Sequence, residues 1–127
     1  MPPEDLRYTS DHEWVRLLDD GTAEFGITDF AQNALGDIVY VQLPDEGTGM
    51  TAGQSVAEVE SVKSVSEIYA PMAGSVVSVN DALASTPEVI NADPFGTGWL
   101  IRFRPADVDD YALLLDAAAY QSMTATT

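Results

Sequence analysis

Residues Gly53 to Gly74, GQSVAEVESVKSVSEIYAPMAG, hold two strand-like arms of nearly equal length about one lysine. Val56 to Val62 and Val65 to Ala70 are rich in residues that fit a pleated, half-buried surface. Pro71 ends the second arm because it offers no N–H to a ladder, and glycines bracket the pair. A chain with this segment must accommodate a hairpin. Lys63 stands at its tip and is the only lysine among 127 residues; the other cations are Arg7, Arg16, Arg102 and Arg104.

The rest of the chain reads as more short strands closed by turns. His12 to Leu18 is a strand apolar on both faces, Trp14 and Leu18 against Val15 and Leu17. Asp19-Asp20-Gly21 marks a hairpin turn, since glycine accepts positive φ. The returning strand sets Ala23, Phe25 and Ile27 on one face by alternation. Thr28 is the expected cap of a short helix, Asp29 to Leu35, and Gly36 its left-handed stop. Asp37 to Leu43 is β-branched and aromatic, hence strand, and Pro44 to Gly47 is a turn by composition. Ser75 to Val79 reads as strand and 80–98 as an irregular connection. Trp99, Ile101 and Phe103 then alternate with Leu100, Arg102 and Arg104.

Beyond Pro105 the period changes. Val108, Tyr111, Ala112, Leu115, Ala118 and Ala119 follow the spacing of an amphipathic helix, with Asp107, Asp109 and Asp110 at its positive end. Residues 1–11 form a polar lead-in; 1–6 and 121–127 are expected to be loose tails. Strands this short and close together imply two packed sheets or a flattened barrel, in a single domain spanning 1–127.

Five cationic and 21 anionic side chains leave a formal charge of −16. That balance repels nucleic acid and anionic lipid, and favours either simple solubility or partners with basic docking faces. With no cysteine there is no disulfide framework, thiol catalysis or thiolate metal site. The N-terminus lacks the basic and apolar regions of a signal peptide, and no apolar run reaches membrane-span length. These features point to a cytoplasmic protein, a monomer by default.

A lysine on a turn can be a solvated charge, a nucleophile or a modification site. A Schiff-base lysine needs burial or a neighbouring cation to lower its pKa, whereas the charges nearest in sequence are Glu60 and Glu67. Modification needs an exposed amine held rigidly, which a tight turn between strands offers. His12 is the only histidine, and its neighbours Ser10 and Asp11 would point to opposite faces of an extended strand, so a structural or surface role is expected of it rather than catalysis. The sequence contains no GxSxG elbow, no calcium loop and no HExxH motif. GTGW, Gly96 to Trp99, is too short a pattern for a phosphate loop, and Trp14 and Trp99 read as core or rim aromatics. Nothing here assembles a self-sufficient active site.

ESVKS (Glu60 to Ser64), HEWV (His12 to Val15), GITDFAQNALGDIVYVQLP (Gly26 to Pro44), Ala70-Pro71 with Gly74, and GWL (Gly98 to Leu100) agree in order and spacing with one family. Over nearly all of residues 6–120 the chain resembles the lipoyl-carrying H proteins of the glycine cleavage system. The resemblance implies a mainly β barrel-sandwich hybrid, like lipoyl and biotinyl domains, with a short internal helix and a C-terminal helix. It implies lipoate amide-linked to Lys63, within a recognition sequence of Glu60, Ser61, Val62 and Ser64. Ser64 stands where the family often has alanine. Biotin carriers usually flank their lysine with methionines, so Val62 and Ser64 point away from biotin.

The same resemblance implies a carrier without catalytic side chains of its own. Its partners would be a pyridoxal-phosphate glycine decarboxylase (P protein), a tetrahydrofolate-dependent aminomethyltransferase (T protein), dihydrolipoamide dehydrogenase (L protein) and lipoate-attaching enzymes. The arm would move an aminomethyl group from glycine between the first two and be reoxidised by the third. Asp11, Glu13 and Glu67 match positions near a cleft that shelters the loaded arm, where carboxylates can hold an ammonium. Two other readings stand beside this one. In the first, the same scaffold relays its lipoyl group to 2-oxoacid dehydrogenases; in the second, it is an unmodified acidic interaction module.

Overall fold

The computed structural model describes residues 3–125. Along the chain run β1 (Arg7–Tyr8), β2 (Glu13–Leu17), β3 (Ala23–Ile27), α1 (Asp29–Leu35), β4 (Ile38–Gln42), β5 (Gly49–Met50), β6 (Ser55–Ser61), β7 (Val65–Tyr69), β8 (Gly74–Val79), α2 (Val89–Ala92), β9 (Ile101–Pro105) and α3 (Ala117–Ala125). All strand pairs are antiparallel, in a six-stranded sheet ordered β1-β2-β3-β9-β8-β5 and a three-stranded sheet ordered β4-β6-β7. The main core lies between them. Val15, Phe25, Val76, Ile101 and Phe103 come from the larger sheet and meet Ile38, Val41, Ala57, Val59 and Ile68 from the smaller. The fold is therefore the mainly β, two-sheet architecture with short helices that the sequence implies.

Local expectations hold where local chemistry decides. β2 and β3 pair from Glu13 opposite Ile27 to Leu17 opposite Ala23, around Gly21 at φ 87°. Thr28 Oγ1 accepts the Ala31 N–H and caps α1, and Gly36 ends it at φ 82°. β3 departs from simple alternation, because all five of its residues are buried. Its outward Glu24 is clamped by Arg16 at 2.7 Å and Arg102 at 3.0 Å. These guanidiniums lie over the rings of Trp14 and Trp99.

The irregular connection over 80–98 folds across that outer surface. It contains a 3-10 turn, Asp81–Ala84, as well as α2. The Trp14 indole N–H donates to Pro94 O at 2.8 Å, Arg16 donates to Phe95 O at 2.8 Å, and Asn80 donates to Thr97 O and Trp99 O.

The ends of the chain differ most from expectation. Leu6 and Tyr8, within the supposed polar lead-in, are buried with Trp14, Ala117 and Tyr120 in a second cluster. The continuous helix expected from Val108 is broken. A 3-10 turn, Val108–Leu113, begins on Asp107 and gives way at an extended Leu114. Leu115 then exchanges both backbone hydrogen bonds with Tyr8, at 2.8 and 2.9 Å. Asp116 caps the start of α3 by accepting the Ala119 N–H. Pairing with β1 thus outweighs continuation of the helix, and aspartates that compete with helical hydrogen bonding serve at caps. Of the tails expected to be loose, Leu6 is buried and residues 121–125 are helical. Residues 1–2 and 126–127 lie outside the described part. Among the described residues, no helix is long and apolar enough to cross a membrane.

Because Leu6 is 1% exposed in the cluster that seats α3, Leu6→Ala is expected to destabilise the protein by about 2–4 kcal/mol. Urea unfolding of the two proteins measures this. A loss below about 0.5 kcal/mol would mean that the lead-in is not part of the fold.

Candidate functional site

β6 and β7 pair from Ser55 opposite Tyr69 to Glu60 opposite Val65, leaving a tight turn at Ser61 to Ser64. Ser61 N–H donates to Ser64 O at 2.8 Å and closes it. The buried Ser61 hydroxyl does the rest. It accepts the N–H groups of Lys63 and Ser64, each at 3.1 Å, and donates to Ser64 O at 3.2 Å. Its one proton and two lone pairs are all used. Lys63 is exposed at the third position of this turn, and among the described residues no carboxylate is paired with it. Glu60 and Ser64 are exposed beside it, while Val62 and Val65 present 66% and 57% of their surface. The recognition sequence is thus largely accessible, apart from the serine that shapes it.

The turn rests on a support. Val62 N–H donates to Asp37 O at 3.0 Å. A methyl group at Gly36 would stand 3.4 Å from Lys63 Cε, so the lysine stem leaves across that glycine. Gly36 is fixed by Asn91, which donates to Gly36 O and to Gln32 Oε1 and accepts the Ile38 N–H, all at 2.9 Å. Sequence reasoning missed Asn91. It sits in a connection with no periodic pattern, and its partners are 53 to 59 residues away.

A cleft of about 170 Å³ opens beside this support. Ile27, Ala31, Leu35 and Ile68 give it apolar walls, and the exposed carboxylates of Asp11 and Glu67 border it. Ser66 is also in the lining, three residues from Lys63, or roughly 10 Å along a strand. A larger cavity of about 360 Å³ lies beyond Phe30, against Phe95 and Tyr120, and contains none of the three expected acids.

Of those acids, the structure brings Asp11 and Glu67 to the cleft and sets Glu13 behind it. Glu13 is 1% exposed, takes hydrogen bonds from Thr9 Oγ1 at 2.9 Å and Tyr69 N–H at 3.1 Å, and so ties the start of β2 to the end of β7. Burial pushes its carboxyl up to about 7, against the pull of those two hydrogen bonds. His12 forms part of the cleft wall with a left-handed backbone, φ 68°. Its ring stacks on Phe30 at 4.5 Å, and burial holds its pKa down.

The chain matches known proteins over nearly all of its length. Residues 6–127 match the family described as glycine cleavage H-protein. The chain is 58% identical over 127 residues to the glycine cleavage system H protein of Nocardia farcinica, covering 97% of this chain and 96% of that one. Its identity to the protein of the same name from Psychrobacter sp. strain PRwf-1 is 55% over 120 residues, covering 94% and 95%. A crystal structure of a glycine cleavage system H protein from Mycobacterium marinum matches with a TM-score of 0.89 at 43% identity, covering 97% and 98%.

Two outcomes follow from the geometry. Gly36→Ala forces a side chain into positive φ and toward the Lys63 stem; it should destabilise by about 1–2 kcal/mol. Urea unfolding of the two proteins tests this. For Glu13, the folded carboxyl near 7 lies above its ordinary 4.5. Between those values the folded state holds a proton that the unfolded state releases, so stability falls as pH rises through that window. Relative to Glu13→Gln, the parent protein should lose stability on the order of 3 kcal/mol between pH 4.5 and 7.5. Parallel urea curves at both pH values would refute this if the difference stayed constant.

Proposed function

The chain belongs to the glycine cleavage H-protein family, and we propose that it acts as the lipoyl-carrying subunit of glycine cleavage, with lipoate in amide linkage to Lys63. The observation that carries this reading is the hairpin tip, where one exposed amine stands on a turn locked by Ser61. Acylation of that amine removes its charge without touching any hydrogen bond that closes the turn. The neighbouring cleft suits such an arm, with apolar walls for a hydrocarbon chain and sulfurs, and carboxylates at its border. When bound, the lipoyl group would supply a dithiolane able to take up an aminomethyl group and surrender it.

The chain's own residues hold and shelter that group. Ile27, Ala31, Leu35 and Ile68 would shield an arm lying against them from water. Asp11 and Glu67 hold the cationic end of the cargo. Glu13 does not reach the cleft surface; it braces the wall by joining Thr9 to Tyr69. The protein performs no turnover alone. It visits glycine decarboxylase, aminomethyltransferase and dihydrolipoamide dehydrogenase, and is first a substrate of lipoate-attaching enzymes. The exposed Val62 and Val65 give those enzymes an apolar grip beside the lysine. A charge of −16 favours basic docking faces, so salt should weaken docking. We read the protein as a cytoplasmic monomer of one domain. The relatives are named for glycine cleavage, which supports this role over donation of the lipoyl group to 2-oxoacid dehydrogenases.

Lys63→Arg keeps the charge and removes the acylatable amine. Peptide mass analysis of the protein from a lipoate-competent host should find a lipoyl increment on Lys63 and none in the variant, and the variant should not support glycine cleavage with the purified partners. Retained activity would sink the carrier reading and leave the acidic interaction module; a biotinyl increment would move the protein to carboxylase chemistry. Glu67→Gln should shorten the lifetime of the loaded protein by roughly three- to tenfold, because the amide keeps an acceptor but loses the charge that about doubles the strength of the bond.

A further inference from the structure

A hydrogen-bonded chain runs from the C-terminal helix to the cleft wall. Thr28 Oγ1 and Tyr120 Oη are 2.7 Å apart, and Tyr120 Oη and His12 Nδ1 are 2.8 Å apart. The direction of its protons follows from counting. Thr28 is buried, and its oxygen already accepts the Ala31 N–H. The acceptor within reach of the Thr28 proton is Tyr120 Oη. If Tyr120 donated to Thr28 instead, the Thr28 proton would be buried without a partner, which is unfavourable. Thr28 therefore donates to Tyr120, and Tyr120 donates to His12 Nδ1. A neutral imidazole that accepts at Nδ1 carries its proton on Nε2. Burial keeps the imidazole neutral and the Tyr120 phenol protonated.

Among the described residues, Nε2 has no hydrogen-bond partner. Among the described residues no buried side-chain nitrogen or oxygen lacks a hydrogen bond, so Nε2 must reach open space. His12 lines the cleft and not the larger cavity beyond Phe30. Other lining side chains with polar atoms are Asp11, Ser66 and Glu67. His12 thus supplies the one side-chain N–H donor in the lining. Three restraints fix the ring: the Tyr120 hydrogen bond, the stack on Phe30, and a backbone held by Thr28 N–H on His12 O at 3.0 Å and His12 N–H on Thr9 O at 3.2 Å.

We propose that His12 is a positioning residue of the cleft, fixed by Tyr120 of α3 so that its Nε2–H meets an acceptor of the stored arm, its carbonyl or a sulfur, while the carboxylates take the amine. This rests on the cleft being the arm's shelter, and makes α3 part of the device that retains the cargo.

Two measurements separate this proposal from that underlying reading. In unmodified protein, nitrogen-15 spectra of the imidazole should show the Nε2–H tautomer, and Tyr120→Phe, which keeps the stack on Tyr8, should give a mixture. In lipoylated, loaded protein, Tyr120→Phe should shorten the lifetime of the load roughly three- to tenfold. His12→Gln sets an amide N–H near the place of Nε2 and should retain most of that lifetime. His12→Asn tolerates the positive φ yet falls short, and should behave like Tyr120→Phe. An Nδ1–H tautomer, or equal lifetimes for the Gln and Asn variants, would overturn the proposal. Failure of Lys63 to accept lipoate would instead remove the shelter reading; the tautomer in unmodified protein would still decide the assignment at His12, with Nε2–H supporting it and Nδ1–H rejecting it.

Discussion

A single hydroxyl holds the hairpin tip on which everything else depends. Ser61 accepts two backbone N–H groups and returns its proton to a backbone carbonyl, all within three residues. The turn can therefore be short without leaving buried polar groups unpaired, and it can stand clear of the sheets without being loose. An exposed lysine on a mobile loop would offer an attaching enzyme many poses. Here the stem leaves from one place, over Gly36, and along one direction.

Long-range bonds carry this local order into the body of the protein. Asn91 joins the end of α1 to the start of β4, and Val62 bonds to Asp37 at the same junction. The connection that delivers Asn91 is pressed against the larger sheet by Trp14, Arg16 and Asn80. The Glu24 clamp fixes Arg16 in turn. The turn that carries the lysine and the outer face of the opposite sheet are thus joined through one chain of bonds.

What could be read from the sequence was what neighbours decide. The two arms, the Asp-Gly hairpin, the Thr28 cap and the lysine at a tip all rest on residues within a few positions of one another, as do their bonds in the structure. The residues that escaped depend on distant partners. Asn91 is unremarkable until α1 and β4 approach it. Leu115 fits a helical stripe, and only the edge offered by Tyr8 makes it extended. Glu13 was readable as an acid near the cleft through family resemblance, but its burial depends on β7 closing over it. Leu6 and Tyr8 belong to a core that exists only once α3 has docked.

The bonds that close the turn engage the backbone of Lys63 and leave its side chain unused. The fold is consequently indifferent to what the lysine bears. On the carrier role proposed above, the hairpin would keep the same hydrogen bonds whatever the lysine bore, and successive enzymes would meet one constant docking shape. Any distinction they drew between empty and full would then come from where the arm lies rather than from how the protein is folded.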